Sequence, residues 1–319
     1  MARDQHSAPR QVTPARFATF TRAALAAQVL IVMSGAAVRL TGSGLGCSDW
    51  PRCEQDRFVA PLELHPMIEF VNRLVSFVVV ATVLLVIWGA LRRIPYRRDL
   101  LDLGWWIAAI TGVQIVLGGI TVRVHLWPPV VMAHFLLSMV LIAVAVTLHH
   151  RASHAVTLTT AAPRPQPRRG RGLTTSLIVA GSTVLVTGTI VTGSGPHGGD
   201  EEVERLGFYV PTVTRVHTAT VFVFLALLVV ALLTLRRDPG SARVMRAGTV
   251  TLAATVAQGA IGYYQYFNGV PALAVFLHVV GSMAVWGTAL WFVLEHRAGS
   301  DASSAWAPRP DHTPAEVGR

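Results

Sequence analysis

Gln114-Ile-Val-Leu-Gly118 and, twenty residues after its glutamine, His134-Phe-Leu-Leu-Ser-Met139 return later in the chain as Gln258-Gly-Ala-Ile-Gly262 and His278-Val-Val-Gly-Ser-Met283. The interval from Gln to His is the same in both places, and each pair bridges two consecutive apolar runs. Chance matches are common in apolar sequence, but polar residues held in register across two runs mark an internal duplication. Two further runs agree. The first closes with Gly35-Ala-Ala-Val-Arg-Leu-Thr-Gly-Ser-Gly44 and the fifth with Gly188-Thr-Ile-Val-Thr-Gly-Ser-Gly195.

Working outward from the repeat, charge-free apolar stretches lie at 23–38, 70–91, 103–122, 128–148, 174–192, 209–234, 248–267 and 271–294. Each is close to the ~20 residues a helix needs to cross the hydrocarbon. The composition agrees: 52% of the 319 residues are hydrophobic and only 14% charged, where a soluble surface needs about 25%. The fold expected is an all-α integral membrane protein with eight transmembrane helices, arranged as two pseudo-symmetric four-helix bundles in a parallel internal repeat. Four spans per unit return the chain to its starting side, so the axis relating the units runs along the membrane normal. The expected divisions are a cytoplasmic arm at 1–22, a first bundle at 23–150, a linker at 151–172, a second bundle at 173–296 and a disordered cytoplasmic tail at 297–319. The first apolar run follows an Arg-bearing arm and lacks a small-residue cleavage site, so it reads as a retained helix.

All 27 basic residues are arginines, against 17 acids. Their placement excludes a nucleic-acid partner, because they fall in short strips between apolar runs. One set of helix ends carries 20 of the 27, including Arg92, Arg93, Arg97 and Arg98, and Arg236, Arg237, Arg243 and Arg246. That asymmetry puts both termini in the cytoplasm of a bacterial plasma membrane. The opposite, outer loops hold few arginines, mixed with acids such as Asp200, Glu201 and Glu202.

Imidazoles and charges at span depth are costly unless paired or ligated, which makes them functional candidates. His217 and His278 begin spans 6 and 8, which both enter from the outer side. Two neutral imidazoles from facing helices suit bis-histidine haem ligation, each needing an acceptor for its second ring nitrogen. Gly188 and Gly262 leave room for a flat macrocycle. In the first half His134 corresponds to His278, but Asn72 stands where His217 would be. His65, Glu69, Asn72 and Arg73 share one helix face, which gives the first half an iron-binding histidine, a carboxylate and an open or weak axial position. Arg39, Arg73, Arg123 and Arg215, at outer helix ends, can clamp anionic propionates or reach lipid phosphates. His125 lies near the first-half site. His149, His150 and His154, at the cytoplasmic edge, look incidental. The cysteines, Cys47 and Cys53, share one outer loop. A disulfide, two free thiols and a redox-active pair all fit that spacing.

Arg39-Leu-Thr-Gly-Ser-Gly-Leu-Gly-Cys47-Ser-Asp-Trp-Pro-Arg-Cys53, with His65 and Ile68-Glu-Phe-Val-Asn-Arg73, resembles the bacterial haem A synthase family. The resemblance extends over about residues 20–295. It implies oxidation of a ring methyl of haem O, the C8 methyl, to the formyl group of haem A, through an alcohol and a gem-diol that loses water. It also implies a haem b cofactor on His217 and His278 with Arg215 beside it, and a haem O substrate in the first half. There His134 is the substrate-side histidine and Glu69 the catalytic carboxylate; Arg39, His65, Asn72, Arg73 and His125 are expected around the substrate from their positions alone. Haem O synthase, cytochrome oxidase and a membrane electron donor are the implied partners, and oligomerisation is left open. Asn72 departs from the family's histidine, so His65 or His125 substitutes, or the substrate iron keeps a weak or open axial position. The competing readings are a haem b electron-transfer protein, which needs closed coordination in both halves, and a transporter, which leaves the capped loop unexplained.

Overall fold

The computed structural model describes residues 11–56, 58–157, 170–237 and 241–304. Among these, eight long helices carry nearly the whole chain: α1 (Pro14–Leu40), α2 (Leu64–Arg92), α3 (Arg98–Arg123), α4 (Pro128–Thr157), α5 (Arg171–Ser194), α6 (Val210–Leu235), α7 (Ala242–Phe267) and α8 (Ala272–Ser304). Seven of the eight are long and apolar enough to cross a membrane. The exception to the eight expected spans is α7, whose Arg243, Arg246, Gln258, Gln265 and three tyrosines dilute its apolar windows. Large apolar side chains face outward, among them Phe77, Trp106 and Leu233 at 65%, 64% and 52% exposure. A water-facing monomer does not tolerate such a belt, whereas lipid does. The chain is a multi-pass membrane protein.

Helices outrun the charge-free stretches because polar residues continue them past the hydrocarbon. α1 begins at Pro14, inside the expected arm, with the Thr13 hydroxyl accepting from Arg16 N–H at 3.3 Å. The residue before that cap is pinned: Val12 donates to Arg92 O and accepts from Ile94 N–H, a bridge that ties the arm to the α2–α3 turn. α4 runs into the expected linker and α8 into the expected tail; the remainder of both, 158–169 and 305–319, lies outside the described residues.

α1 to α4 pack in sequence and close through α1 against α4; α5 to α8 do the same through α5 against α8. Each group surrounds its own apolar core, Phe17, Leu100, Ile107 and Leu148 in the first and Leu177, Leu228, Leu235 and Phe292 in the second. The groups meet mainly through α4 and α8. A smaller cluster of Met139, Ile142, Met283 and Trp286 fills that seam, and the Trp286 indole donates to Met139 O at 2.9 Å.

Candidate functional site

In the second group, Thr187 of α5 meets His217 of α6. The Thr187 hydroxyl donates its single proton to Thr183 O at 2.9 Å, so the 3.1 Å contact with His217 Nδ1 has the imidazole donating. That fixes the tautomer and leaves Nε2 with a lone pair free to ligate. His278 lies near enough for His217 to act on it electrostatically, and its own Nδ1 is buried without a hydrogen-bond partner. Gln258 of α7 donates to the His278 backbone carbonyl at 2.6 Å. Both imidazoles rest against glycines. A Cβ on Gly188 would sit 3.1 Å from His217 Cε1, and one on Gly262 3.2 Å from His278 Cε1.

The first group shows related contacts. Gln114 donates to the His134 carbonyl at 3.0 Å and to Ser138 Oγ at 2.6 Å. Gly118 lies against the His134 ring, whose Nδ1 is again buried and unpartnered. Where the second group has Thr187 against His217, the first has Ser34 donating to Asn72 Oδ1 at 2.7 Å. Here the side chain on α2 accepts rather than donates, and the amide offers no nitrogen lone pair comparable to an imidazole's.

Above this, the loop after α1 folds down onto α2 and α3. Cys47 and Cys53 are joined in a disulfide, buried beside Ala60. Glu69, 4% exposed, accepts from Cys47 N–H at 2.8 Å through Oε2 and from Arg73 Nε at 3.1 Å through Oε1. Arg73 also donates to the carbonyls of Asp49 and Arg52, both at 3.0 Å. Arg123 of α3 holds Trp50 O at 3.0 Å, and the Trp50 ring lies on Gly119, where a Cβ would approach to 2.5 Å. Gly46 is equally constrained, since a Cβ there would meet the His65 carbonyl at 2.5 Å. The glycine-rich turn is close-packed at Gly44 and Gly46.

The remaining candidates divide. Arg73 is engaged by Glu69 and the loop, so its guanidinium is not presented to a propionate. His65 is exposed, with its Nδ1 2.9 Å from Ser43 Oγ. His125 sits at positive φ in the α3–α4 turn, exposed, and Arg215 is exposed on α6; neither side chain makes a hydrogen bond among the described residues. Arg39 donates to Thr192 O at 3.2 Å, an oxygen that Arg205 shares at 2.8 Å. The two guanidinium groups line a cleft of about 530 Å³ with His197 and Asp200. Burial lowers the Arg205 pKa. Sequence reasoning missed Ser34, Thr187 and Arg205. The first two were accessible, because each directly precedes a glycine of the repeat.

These features define a class: a multi-pass helical membrane protein with half-buried imidazoles braced against glycines beneath a disulfide-closed outer loop. The chain belongs to the COX15-CtaA family of cytochrome oxidase assembly proteins, whose model matches residues 18–66 and 63–196. It is 32% identical over 132 residues to a heme A synthase of Lysinibacillus sphaericus, covering 40% of this chain and 42% of that one. It is 30% identical over 107 residues to a heme A synthase of Geobacillus kaustophilus, covering 33% of each. A protoheme IX farnesyltransferase of Thermus thermophilus is 37% identical over 86 residues, 26% of this chain and 14% of that one. The matched segments thus span less than half of each relative. The donor set fits a haem: His217 offers Nε2 with its tautomer fixed, His278 has an unpartnered ring nitrogen, and glycines flank both rings.

Proposed function

We propose that this chain oxidises the C8 methyl group of haem O to the formyl group of haem A within the membrane, using a haem b held by His217 and His278. The observation that carries the reading is the asymmetry between the two groups of helices. A hydroxyl of the preceding helix braces an imidazole at position 217 and an amide at position 72. Taking the groups as two copies of one four-span repeat, the second would offer an iron two imidazoles and the first only His134. Closed coordination suits electron transfer; an open position suits oxidation of a bound substrate.

Haem b, when bound, supplies one-electron transfer. The residues do the rest. Thr187 holds the His217 ring in register, and Gln258 fixes the backbone from which His278 projects. His134, with Gln114 bracing its backbone, would hold the substrate iron. Glu69, Arg73 and the disulfide loop close the outer side and limit the entry of water. Methyl plus one water gives formyl with the release of four electrons and four protons, so a proton path is needed, and Glu69 is the buried carboxylate nearest that loop. Arg39 and Arg205, which share a carbonyl and open on a cleft, suit an anionic propionate. The similarity to a protein named as a farnesyltransferase of protohaem supports a farnesylated haem as the molecule handled. Haem O synthase, cytochrome oxidase and a membrane electron donor are the corresponding partners, with both termini cytoplasmic.

The test is to express the chain in cells that make haem O but no haem A, and to identify extracted haems by mass. Haem A, or its hydroxymethyl precursor, is the expected product. Folded protein that yields haem b and unchanged haem O only would reduce the chain to an electron carrier.

A further inference from the structure

At the end of the bundle opposite the disulfide loop, α4 and α8 bring His150, His154 and Glu295 together. Their ligating atoms all lie within 4.8 Å of one another. His154 Nε2 is 3.2 Å from Glu295 Oε2, and His150 Nε2 is 3.5 Å from Oε1. The side chains of His150 and Glu295 are each 8% exposed. His134 and His278 lie on the same helices but sixteen and seventeen residues earlier, about 25 Å away at 1.5 Å per residue. The cluster is therefore separate from the candidate haem sites.

Its hydrogen bonding calls for a cation. His154 Nδ1 is 3.1 Å from His150 O, and a carbonyl only accepts, so that nitrogen carries the hydrogen. With no ion bound, His154 must carry a second proton on Nε2 to donate to Glu295 Oε2 at 3.2 Å. His150 Nε2 is buried, 3.5 Å from Oε1, and makes no hydrogen bond among the described residues. The two rings stack with centroids 3.9 Å apart, so protonating both would place two positive charges face to face. One divalent ion relieves both contacts at once. The surroundings resemble the outer shell of a metal site, in which a carbonyl fixes the histidine tautomer and a donor orients the carboxylate. Here that donor is the Trp291 indole, 2.9 Å from Glu295 Oε1. Ligands about 2.0–2.2 Å from a tetrahedral zinc lie roughly 3.3–3.6 Å apart; each imidazole already lies at about that distance from one oxygen of the carboxylate, 3.2 Å from Oε2 and 3.5 Å from Oε1. His149 is not part of the set, since its Nδ1 is bonded to the Thr21 hydroxyl.

We propose that His150, His154 and Glu295 bind a divalent transition-metal ion of the zinc class, with water completing the shell, and so clamp α4 of the first group to α8 of the second.

The test uses full-length protein in detergent, purified without a histidine tag and stripped with chelator. It is dialysed against micromolar Zn²⁺ and assayed for bound zinc by plasma mass spectrometry, with gel filtration reporting folding. One zinc per chain is expected, with a raised thermal midpoint. His154→Ala and Glu295→Gln should each weaken binding about 100-fold, and Trp291→Phe, a milder change that spares the ligands, about 10-fold. Monodisperse wild-type protein that takes up no zinc would overturn the proposal and leave the cluster as a proton-held ion pair. Uptake unaltered in the folded variants would overturn it equally.

Discussion

Replacing Glu69 by Gln separates the two roles its position allows. The carboxylate is buried and both of its oxygens are engaged, Oε2 by Cys47 N–H and Oε1 by Arg73. An amide keeps the shape, but one side of it must turn an N–H₂ toward either the guanidinium or the Cys47 N–H. Breaking one partner of a buried ion pair costs about 3–5 kcal/mol. Arg73 is 17% exposed and retains the carbonyls of Asp49 and Arg52, so its charge is not left bare. A cost of roughly 3 kcal/mol is the appropriate expectation, on the order of a 100-fold rise in opening of the loop. Limited trypsin digestion reads this directly, because Arg52 lies in the loop; cleavage there, followed by mass under non-reducing conditions, should accelerate in Glu69→Gln. Arg73→Lys keeps a positive charge but loses the forked contacts, and should produce the same acceleration. Haem conversion then assigns the role. If Glu69 only anchors the loop, both variants lose activity in proportion to loop opening. If it also relays protons, Glu69→Gln is the more severe at equal opening. Wild-type cleavage rates in both variants would refute the idea that this network holds the loop closed.

Three further outcomes are expected. Asn72→His should donate its Nδ1–H to Ser34 Oγ, whose own proton can pass to Ile31 O, and add a second low-spin haem signal in protein loaded with haem O while slowing conversion; no new signal would mean that position 72 does not face the substrate iron. Gly119→Leu should expel Trp50 from α3, seen as a red shift and loss of intensity in tryptophan emission with faster cleavage at Arg52; unchanged emission would contradict the packing. Thr187→Val removes the acceptor for His217 Nδ1–H and should weaken haem retention by roughly 10- to 100-fold, measured by transfer to an apo-globin acceptor; retention equal to wild type would show that the hydroxyl does not set the tautomer.

Much of this architecture was legible because lipid simplifies the code. Charge-free runs announce helices, and glutamine and histidine in register across two pairs of runs point to the contacts Gln114 to His134 and Gln258 to His278. What the sequence concealed depends on side chains meeting across distant segments. Arg73 looked available for an anion, yet it turns to a loop twenty-odd residues earlier, a choice set by the fold of 41–63 rather than by helix periodicity. Arg205 and Arg39 are far apart in sequence and meet at one carbonyl. His150 and His154 looked incidental because their carboxylate comes from Glu295, 141 residues after His154. Helix ends were misjudged for a related reason, since capping by Thr13 and the pinning of Val12 extend α1 through residues that hydropathy assigns to an arm.

The most direct measurement is the absorption and electron paramagnetic resonance of protein purified from haem-replete cells, with His217→Ala and His278→Ala alongside. The account predicts one low-spin, bis-imidazole haem b in the wild type, lost or converted to high spin in each variant. Folded protein that is colourless, or whose low-spin signal survives both substitutions, would contradict it.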